Sequence, residues 1–146
     1  MECLTFGHGS RSEALSALRD RLAGDEPVKD WNPGLRKRLE RYAAGRSDDF
    51  ADVRTRETEG TDFASRVIRS VRSIAPGATL SYADVAALAG SPKAARAVGN
   101  IMARNPIPII IPCHRVTGAR GSLGGYSAPQ GLDMKQRLLR LEQAGA

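Results

Sequence analysis

Cysteine is nearly absent from this chain: only Cys3 and Cys113 occur in 146 residues. Two thiols cannot build a disulfide framework, so the sequence reads as a protein of a reducing, intracellular compartment. Long apolar runs are missing as well, and nothing approaches the roughly 18 consecutive apolar residues that a membrane span needs. The N-terminal MECLTFGHGS has no basic stretch followed by an apolar one, which argues against a secretory signal. Aromatic residues make up only 5%, and neither an internal repeat nor a low-complexity tract is present. Membrane, secreted, collagenous and disordered classes are thereby excluded. What remains is a basic globular protein, 41% hydrophobic and long enough to bury one core, expected in the cytoplasm and off the membrane.

Acidic residues are scarce in one half only. Residues 1–60 carry eleven Lys+Arg against twelve Asp+Glu, whereas residues 61–146 carry eleven against four: Asp62, Asp84, Asp133 and Glu142. The net charge of +6 therefore comes wholly from the later residues, which alone sum to +7. A basic half beside a neutral one suggests a polyanion-facing surface, although an arginine-rich composition would give the same number.

Along the chain, Leu4–Phe6 is a short strand candidate closed by Gly7 and Gly9. Ser10 or Ser12 then caps a helix in which Ala14, Leu15, Leu18 and Leu22 recur at helical spacing, ended by Gly24. A turn-rich stretch leads through Pro33–Gly34 into a second helix with Leu35, Leu39, Tyr42 and Ala43 on one face. Residues 45–60 are polar and aperiodic, the best domain boundary, and read as a linker or a loosely packed strand. Beyond them the pattern tightens. Phe63, Val67, Val71 and Ile74 mark the buried stripe of a helix over about 62–75, with Arg66, Arg69 and Arg72 outside and Pro76–Gly77 as its stop. Ser81 followed by Asp84 is a capping box for a helix through about Ala89. After Gly90, Ser91–Pro92 predicts the start of another, with Ser as N-cap and Pro at the first helical position. Two short helices joined in this way form a helix-turn-helix candidate. In the second, Val98 and Met102 face the core with Ala94 and Ala95. Lys93, Arg96, Asn100 and Arg104 point elsewhere, interleaved with Ala97 and Gly99. Small residues permit close approach, and basic and amide groups suit phosphates and base edges. An ordinary packed helix with a solvated basic face fits the same pattern.

The stretch Asn105–Val116 is the most informative. Asn–Pro initiates a turn, and three isoleucines held between prolines predict a buried, stiff, extended segment rather than a central strand. It delivers Cys113 with His114 directly beside it. A thiolate is the competent nucleophile, and a basic neighbour raises its fraction at neutral pH. A buried structural cysteine next to an unrelated histidine is the competing reading. A glycine-dense loop follows over 117–127, with Tyr126 as its lone aromatic residue. An amphipathic helix from Leu132 to about Ala144 carries Leu138, Leu139 and Leu141, with Glu142 near its end.

In order along the chain, several runs resemble one family: Pro76-Gly77, Ser81-Tyr82, Lys93 to Gly99, Asn105-Pro106, Ile111-Pro112-Cys113-His114-Arg115-Val116, Gly125-Tyr126-Ser127 and Leu138 to Glu142. This is the set found in the O6-alkylguanine-DNA alkyltransferases, and the likeness covers residues 61–146 almost without interruption. The resemblance implies an α+β molecule. Its mainly helical DNA-binding domain (61–146), with a winged helix-turn-helix, would stand behind a shortened ribonuclease-H-like α/β segment (1–60). It also implies direct repair of double-stranded DNA carrying alkylated bases, by a monomer, without cofactor or metal. Cys113 would take the alkyl group from guanine O6, with O4-alkylthymine a second candidate substrate, and the thioether formed would end its working life. His114, through a water, and Glu142 would form the proton relay. Asn105 would brace the turn holding the cysteine, and Tyr82 would protonate the departing guanine and press on the DNA backbone. Arg96 would fill the stack vacated by a flipped nucleotide, on a helix admitted to the minor groove by Ala95, Ala97 and Gly99, with Ser81 and Arg115 as further DNA contacts. Tyr126, Ser127, Val116 and Pro108 would line or rim the base pocket.

Two departures accompany the likeness. Family members carry a longer N-terminal domain, and the residues before 61 resemble only its later part, so its first strands are expected to be missing. Some relatives bind zinc there, but Cys3 and His8 are the only Cys or His in residues 1–60 and cannot supply four ligands. The stretch Ser127–Gly131 is longer and less glycine-rich than the family's usual loop. A lesion-binding sensor without transfer chemistry is opposed by Cys113, a helix-turn-helix regulator leaves Glu142 and the Gly-Tyr-Ser loop without a role, and a Cys–His hydrolase lacks any sign of an oxyanion hole.

Overall fold

The computed structural model describes residues 4–21, 32–55 and 62–145. Six helices follow in order: α1 (Arg11–Arg21), α2 (Pro33–Ala43), α3 (Phe63–Arg72), α4 (Tyr82–Leu88), α5 (Ala95–Ala103) and α6 (Gly131–Ala144). The strands β1 (Leu80–Ser81) and β2 (Val116–Thr117) pair in parallel, Leu80 opposite Val116 and Ser81 opposite Thr117. The expected mixed, mainly helical architecture holds. That short ladder positions the site: β1 runs straight into Tyr82 at the start of α4, and β2 leaves directly from the 3-10 turn Cys113–Arg115.

Most helix ends follow their caps. The Asn32 carboxamide accepts from Leu35 N at 2.9 Å with Pro33 next in line, and Asp62 accepts from Ser65 N at 2.8 Å. The predicted capping box is complete, Ser81 Oγ and Asp84 each bonding the other's backbone amide. Ser10 rather than Ser12 caps α1, accepting from Glu13 N at 3.2 Å. α5 departs from expectation. Residues 92–93 form a turn closed by Ala94 N to Ser91 O at 2.9 Å, and the helix begins only at Ala95, with no side-chain cap. The proline that was read as helical instead extends the turn after Gly90, whose φ of 78° requires glycine or a strained residue.

One apolar cluster joins α2 to the helices that follow it, and no described residue of α1 belongs to it. Val67 and Val71 from α3, Val85 from α4, Val98 and Met102 from α5 and Leu138 from α6 meet Leu35 and Tyr42 from α2. Complete burial of each valine or leucine is worth about 1.5–3 kcal/mol. Ala43, placed on the apolar face by its spacing, is exposed. Of the stretch 45–60, read as a linker or loose strand, the described residues through 55 are instead firmly tied, and 56–60 lie outside the described residues. Phe50 is fully buried, its ring edge-on to Tyr42 at 5.6 Å, while the Arg38 guanidinium grips Asp48 and Asp52 at 2.7–2.8 Å. Arg72, placed outside α3 by its spacing, turns back to donate to the carbonyls of Phe50, Ala51 and Val53 at 2.8–3.1 Å. Local polarity hid this because the groups that hold the loop are charged.

Two further readings are corrected. Leu4–Phe6 forms no strand; it is an extended strap held by Leu4 N to Pro106 O at 2.9 Å and by Gln130 Nε2 to Gly7 O at 3.1 Å. The isoleucine segment is buried as expected but not extended. Ile111 N returns to Ile107 O at 2.9 Å, and Ile109 sits at φ 75°, a conformation that is costly for a β-branched residue. Cys3, Leu22 and the predicted helix end at Gly24 lie outside the described residues. Among the described residues of the first sixty there are two helices and no strand, and no described helix is long and apolar enough to cross a membrane.

Candidate active site

Three proline-bounded isoleucines and one asparagine fix the cysteine. Ile107, Ile110 and Ile111 are fully buried and anchor the turn, and Asn105 spans its two ends. Its Oδ1 accepts from Ile107 N at 3.0 Å; its Nδ2 donates to Ile111 O at 2.8 Å and to Cys113 Sγ at 3.1 Å. A single carboxamide thus ties the strained turn to the thiol. Cys113 is 6% exposed and forms the floor of an open cleft of about 720 Å³.

His114 is buried and bonded to the carboxylate of Glu142 on α6. Its Nε2 lies 2.8 Å from Glu142 Oε1, both groups being fully or almost fully buried. The same carboxylate receives Arg115 Nε at 3.0 Å and NH2 at 2.8 Å, Gly77 N at 3.1 Å and the Tyr42 hydroxyl at 2.7 Å. Burial alone would raise the Glu142 carboxyl, but the bonds from His114, Arg115 and Tyr42 outweigh it and hold the group well below its ordinary 4.5. An ionised carboxylate only accepts, so His114 Nε2 carries the hydrogen and Nδ1 is left with the lone pair. Among the described residues Nδ1, buried with its ring, has no hydrogen-bond partner. Burial pushes His114 below its ordinary 6.5, with Glu142 opposing only in part, so the ring rests neutral. This is a base whose tautomer is set and whose free nitrogen is available.

The thiol itself rests protonated. Burial pushes the Cys113 pKa above its usual 9.0, offset only in part by the Asn105 bond and the Lys135 charge. The sequence-based expectation of a thiolate favoured by the adjacent histidine is corrected here: burial outweighs the stabilising contacts, and a neutral imidazole bonded to Glu142 supplies no positive charge. The proton must leave during reaction. Tyr82, half-buried at the cleft wall, is pushed up by burial and by the nearby cysteine. The Tyr126 hydroxyl is buried beside the sulfur, and its pKa is raised by burial and by the nearby Cys113 thiol.

Most predicted site residues meet in this cleft. Ser81, Tyr82, Ala95, Arg96, Gly99, Cys113, Tyr126 and Ser127 all line it, together with Met102, Ala119 and Gly125. Gly124 lies so close that a Cβ there would come within 2.9 Å of the Tyr82 hydroxyl, so the glycine loop packs on that tyrosine. Seven do not line it: His114, Glu142 and Asn105 hold the positions already described, and four more lie elsewhere. Arg115, expected on the DNA surface, is 1% exposed and its guanidinium is engaged by Glu142 and by Ile74 O at 2.6 Å. Val116, expected to offer its backbone to a base, is fully buried; its N–H bonds Cys113 O and its carbonyl accepts from Lys135 Nζ at 2.6 Å. Ala97 is exposed on α5 outside the cleft, and Pro108 lines a small separate cavity with Asn105, Cys113 and Tyr126.

Two functional-looking residues escaped the sequence reading. Lys135 is fully buried, and its ammonium bonds the carbonyls of Val116 and Leu123, closing the glycine-rich loop beside the cleft. A lysine at i, i+3 and i+7 spacing with Leu138 and Glu142 on the buried stripe of a helix was the available signal. Tyr42 looked like one more core residue of α2, and nothing local announces a partner a hundred positions away.

Comparison with known proteins agrees with this geometry. Residues 62–144 match the family profile described as the DNA-binding domain of 6-O-methylguanine DNA methyltransferase. A methylated-DNA–protein-cysteine methyltransferase of Methanosarcina acetivorans is 48% identical over 106 residues, 73% of this chain and 65% of that protein. Its counterpart in Mycobacterium bovis is 42% identical over 147 residues, 96% of this chain and 85% of the relative. The crystal structure of the Mycobacterium tuberculosis O6-methylguanine methyltransferase superposes with a TM-score of 0.70 at 39% identity, covering 87% of this chain and 74% of that one. A second structure from that organism, solved in complex with DNA, is 49% identical with a TM-score of 0.55, covering 60% of this chain and 52% of the other. A profile match over more than half its length places the chain in the methylated-DNA–protein-cysteine methyltransferases, the O6-alkylguanine-DNA alkyltransferase family.

Proposed function

We propose that this protein repairs DNA by irreversible transfer of an alkyl group from guanine O6 to Cys113. The observation that carries this reading is a protonated thiol on the floor of an open cleft, next to a neutral histidine whose tautomer is set by a buried carboxylate. In the reaction the thiol proton passes through one water to His114 Nδ1, the sulfur attacks the alkyl carbon, and the carbon–O6 bond breaks. The electrons left on the base are neutralised by a proton from Tyr82. The product is a thioether, which water does not cleave, so each chain works once and needs no cofactor.

Access to the alkyl carbon requires that the nucleotide leave the duplex, at a cost of a few kcal/mol that a damaged pair lessens. α4 and α5 act as the helix-turn-helix, with α5 entering the minor groove. Arg96 is exposed at the cleft wall and fills the vacated stack, while Ala95 and Gly99 allow the backbone to come close. The +7 charge of residues 61–146 supplies phosphate affinity independent of sequence. Residues 61–146 form the reacting unit and the earlier residues its shortened partner, a remnant of a ribonuclease-H-like domain that keeps two helices and no strand among the described residues. The protein acts as a monomer in the cytoplasm.

Incubation with duplex DNA containing O6-methylguanine, followed by intact mass and peptide mapping, tests the reading. One methyl group per chain on Cys113, with unmodified guanine left behind and no turnover, is the expected outcome; tight lesion binding without a mass change would overturn it. Arg96→Ala is expected to slow transfer from duplex DNA by roughly 10- to 100-fold, a loss of about 1.4–2.8 kcal/mol, while reaction with the free base stays near wild type. Equal losses on both substrates would remove the flipping role.

A further inference from the structure

We propose that Tyr42 is a positioning residue of the Cys113 reaction: its hydroxyl, donated to Glu142 Oε1, sets how strongly that carboxylate holds His114, which makes α2 part of the reactive centre. The inference rests on the alkyl-transfer reading. Tyr42 is almost wholly buried, and its hydroxyl is 2.7 Å from the carboxylate oxygen that also receives His114 Nε2 at 2.8 Å. Burial, then the Glu142 bond, raises the phenol far above its ordinary 10, so it remains a proton donor to the carboxylate at every working pH. The groups facing the His114–Glu142 pair are Tyr42 from α2, Arg115 from the 3-10 turn, Lys135 from α6, and the neutral Cys113 and Tyr126. The Arg115 guanidinium and Gly77 N also donate to the carboxylate, and the Tyr42 hydroxyl is the neutral side-chain donor on Oε1, the oxygen that holds His114.

A donor shared by Oε1 disperses the carboxylate charge and weakens its bond to the imidazole. The direct approach of the hydroxyl to His114 Nε2, 3.4 Å, lies at the edge of hydrogen-bond range, so its effect passes through Glu142. Removing the hydroxyl therefore strengthens the Glu142–His114 bond and makes His114 hold a proton to higher pH. Phenylalanine keeps the ring against Phe50 and isolates the effect of the oxygen.

In the full chain, Tyr42→Phe is expected to move the His114 Nε2–H proton resonance downfield at neutral pH. The acid limb of methyl transfer from O6-methylguanine DNA should rise by about half a pH unit, roughly a threefold slower reaction on that limb. Leu35→Ala, on the same helix but away from the carboxylate, lowers the melting temperature and leaves both readouts in place. Site-specific 3-fluorotyrosine at position 42, a stronger donor of nearly the same shape, moves both the other way and needs no change of packing. An unmoved resonance and limb in Tyr42→Phe, or an equal movement in Leu35→Ala, overturns the proposal. If the wild-type chain takes no methyl group from DNA, the alkyl-transfer reading fails, while the resonance still decides the role of Tyr42.

Discussion

Replacement of Glu142 by alanine is expected to cost about 3–5 kcal/mol of folding stability, a large share of the total for a chain of this size. The carboxylate is 2% exposed and receives five hydrogen bonds from four groups, with a further long contact from Arg115 Nε to Oε1. Its removal leaves the Arg115 guanidinium, itself 1% exposed, as a buried charge whose remaining partner is the Ile74 carbonyl. It also strands the Tyr42 hydroxyl and the His114 N–H in an apolar surround, where each unmet donor costs about 1–3 kcal/mol. Denaturant unfolding at pH 7 measures the loss, and a change below 1 kcal/mol would refute it. Glu142→Gln keeps an acceptor oxygen but not the charge, and falls between the two.

The same group sets the acid stability. Glu142 titrates lower in the folded chain than its ordinary 4.5, so the stability it contributes is fully present above about pH 4.5 and is lost as pH falls further. His114 adds an earlier step. Its folded-state value lies below 6.5, so the unfolded chain binds the proton first and stability begins to fall below about pH 6.5. Wild-type protein should therefore lose stability in two stages, the first setting in below about pH 6.5 and the second below about pH 4.5. His114→Gln should lack the first.

The sequence revealed contacts that are close along the chain and missed those that are not. The α3 stripe, the Ser81–Asp84 capping box and the Asn105–Cys113 segment are each written within a dozen residues, where periodicity, caps and prolines act directly. The Glu142 cluster draws Tyr42, Gly77, His114 and Arg115 from four separate places, and only tertiary packing brings them together. Arg115 was placed among the DNA contacts by the family resemblance, and an arginine is buried like this only when it is paired. Its partner, Glu142, was recognised, but local pattern gave no reason to join the two. Loop 46–55 failed for the opposite reason: it looked unstructured because its anchors, Arg38 and Arg72, are charged and lie outside it.

Cys113→Ser should separate binding from transfer. The hydroxyl is a far weaker nucleophile than a thiol, and His114, already neutral and set to accept one proton, cannot make up the difference in acidity. Methyl transfer is expected to fall by on the order of 10⁴-fold or more, to nothing detectable by mass over hours. The fold should survive with a change of about 1 kcal/mol, since Asn105 Nδ2 keeps an acceptor and the cavity created is small. Lesion affinity should persist, because the cleft is built by Tyr82, Arg96, Gly99, Tyr126 and Ser127 and not by the sulfur. Gel-shift titrations against duplexes with and without O6-methylguanine test this, beside an intact-mass measurement on the same samples. Loss of lesion preference together with loss of transfer would mean that recognition depends on the bond being made, and that the cleft alone does not select the damaged base.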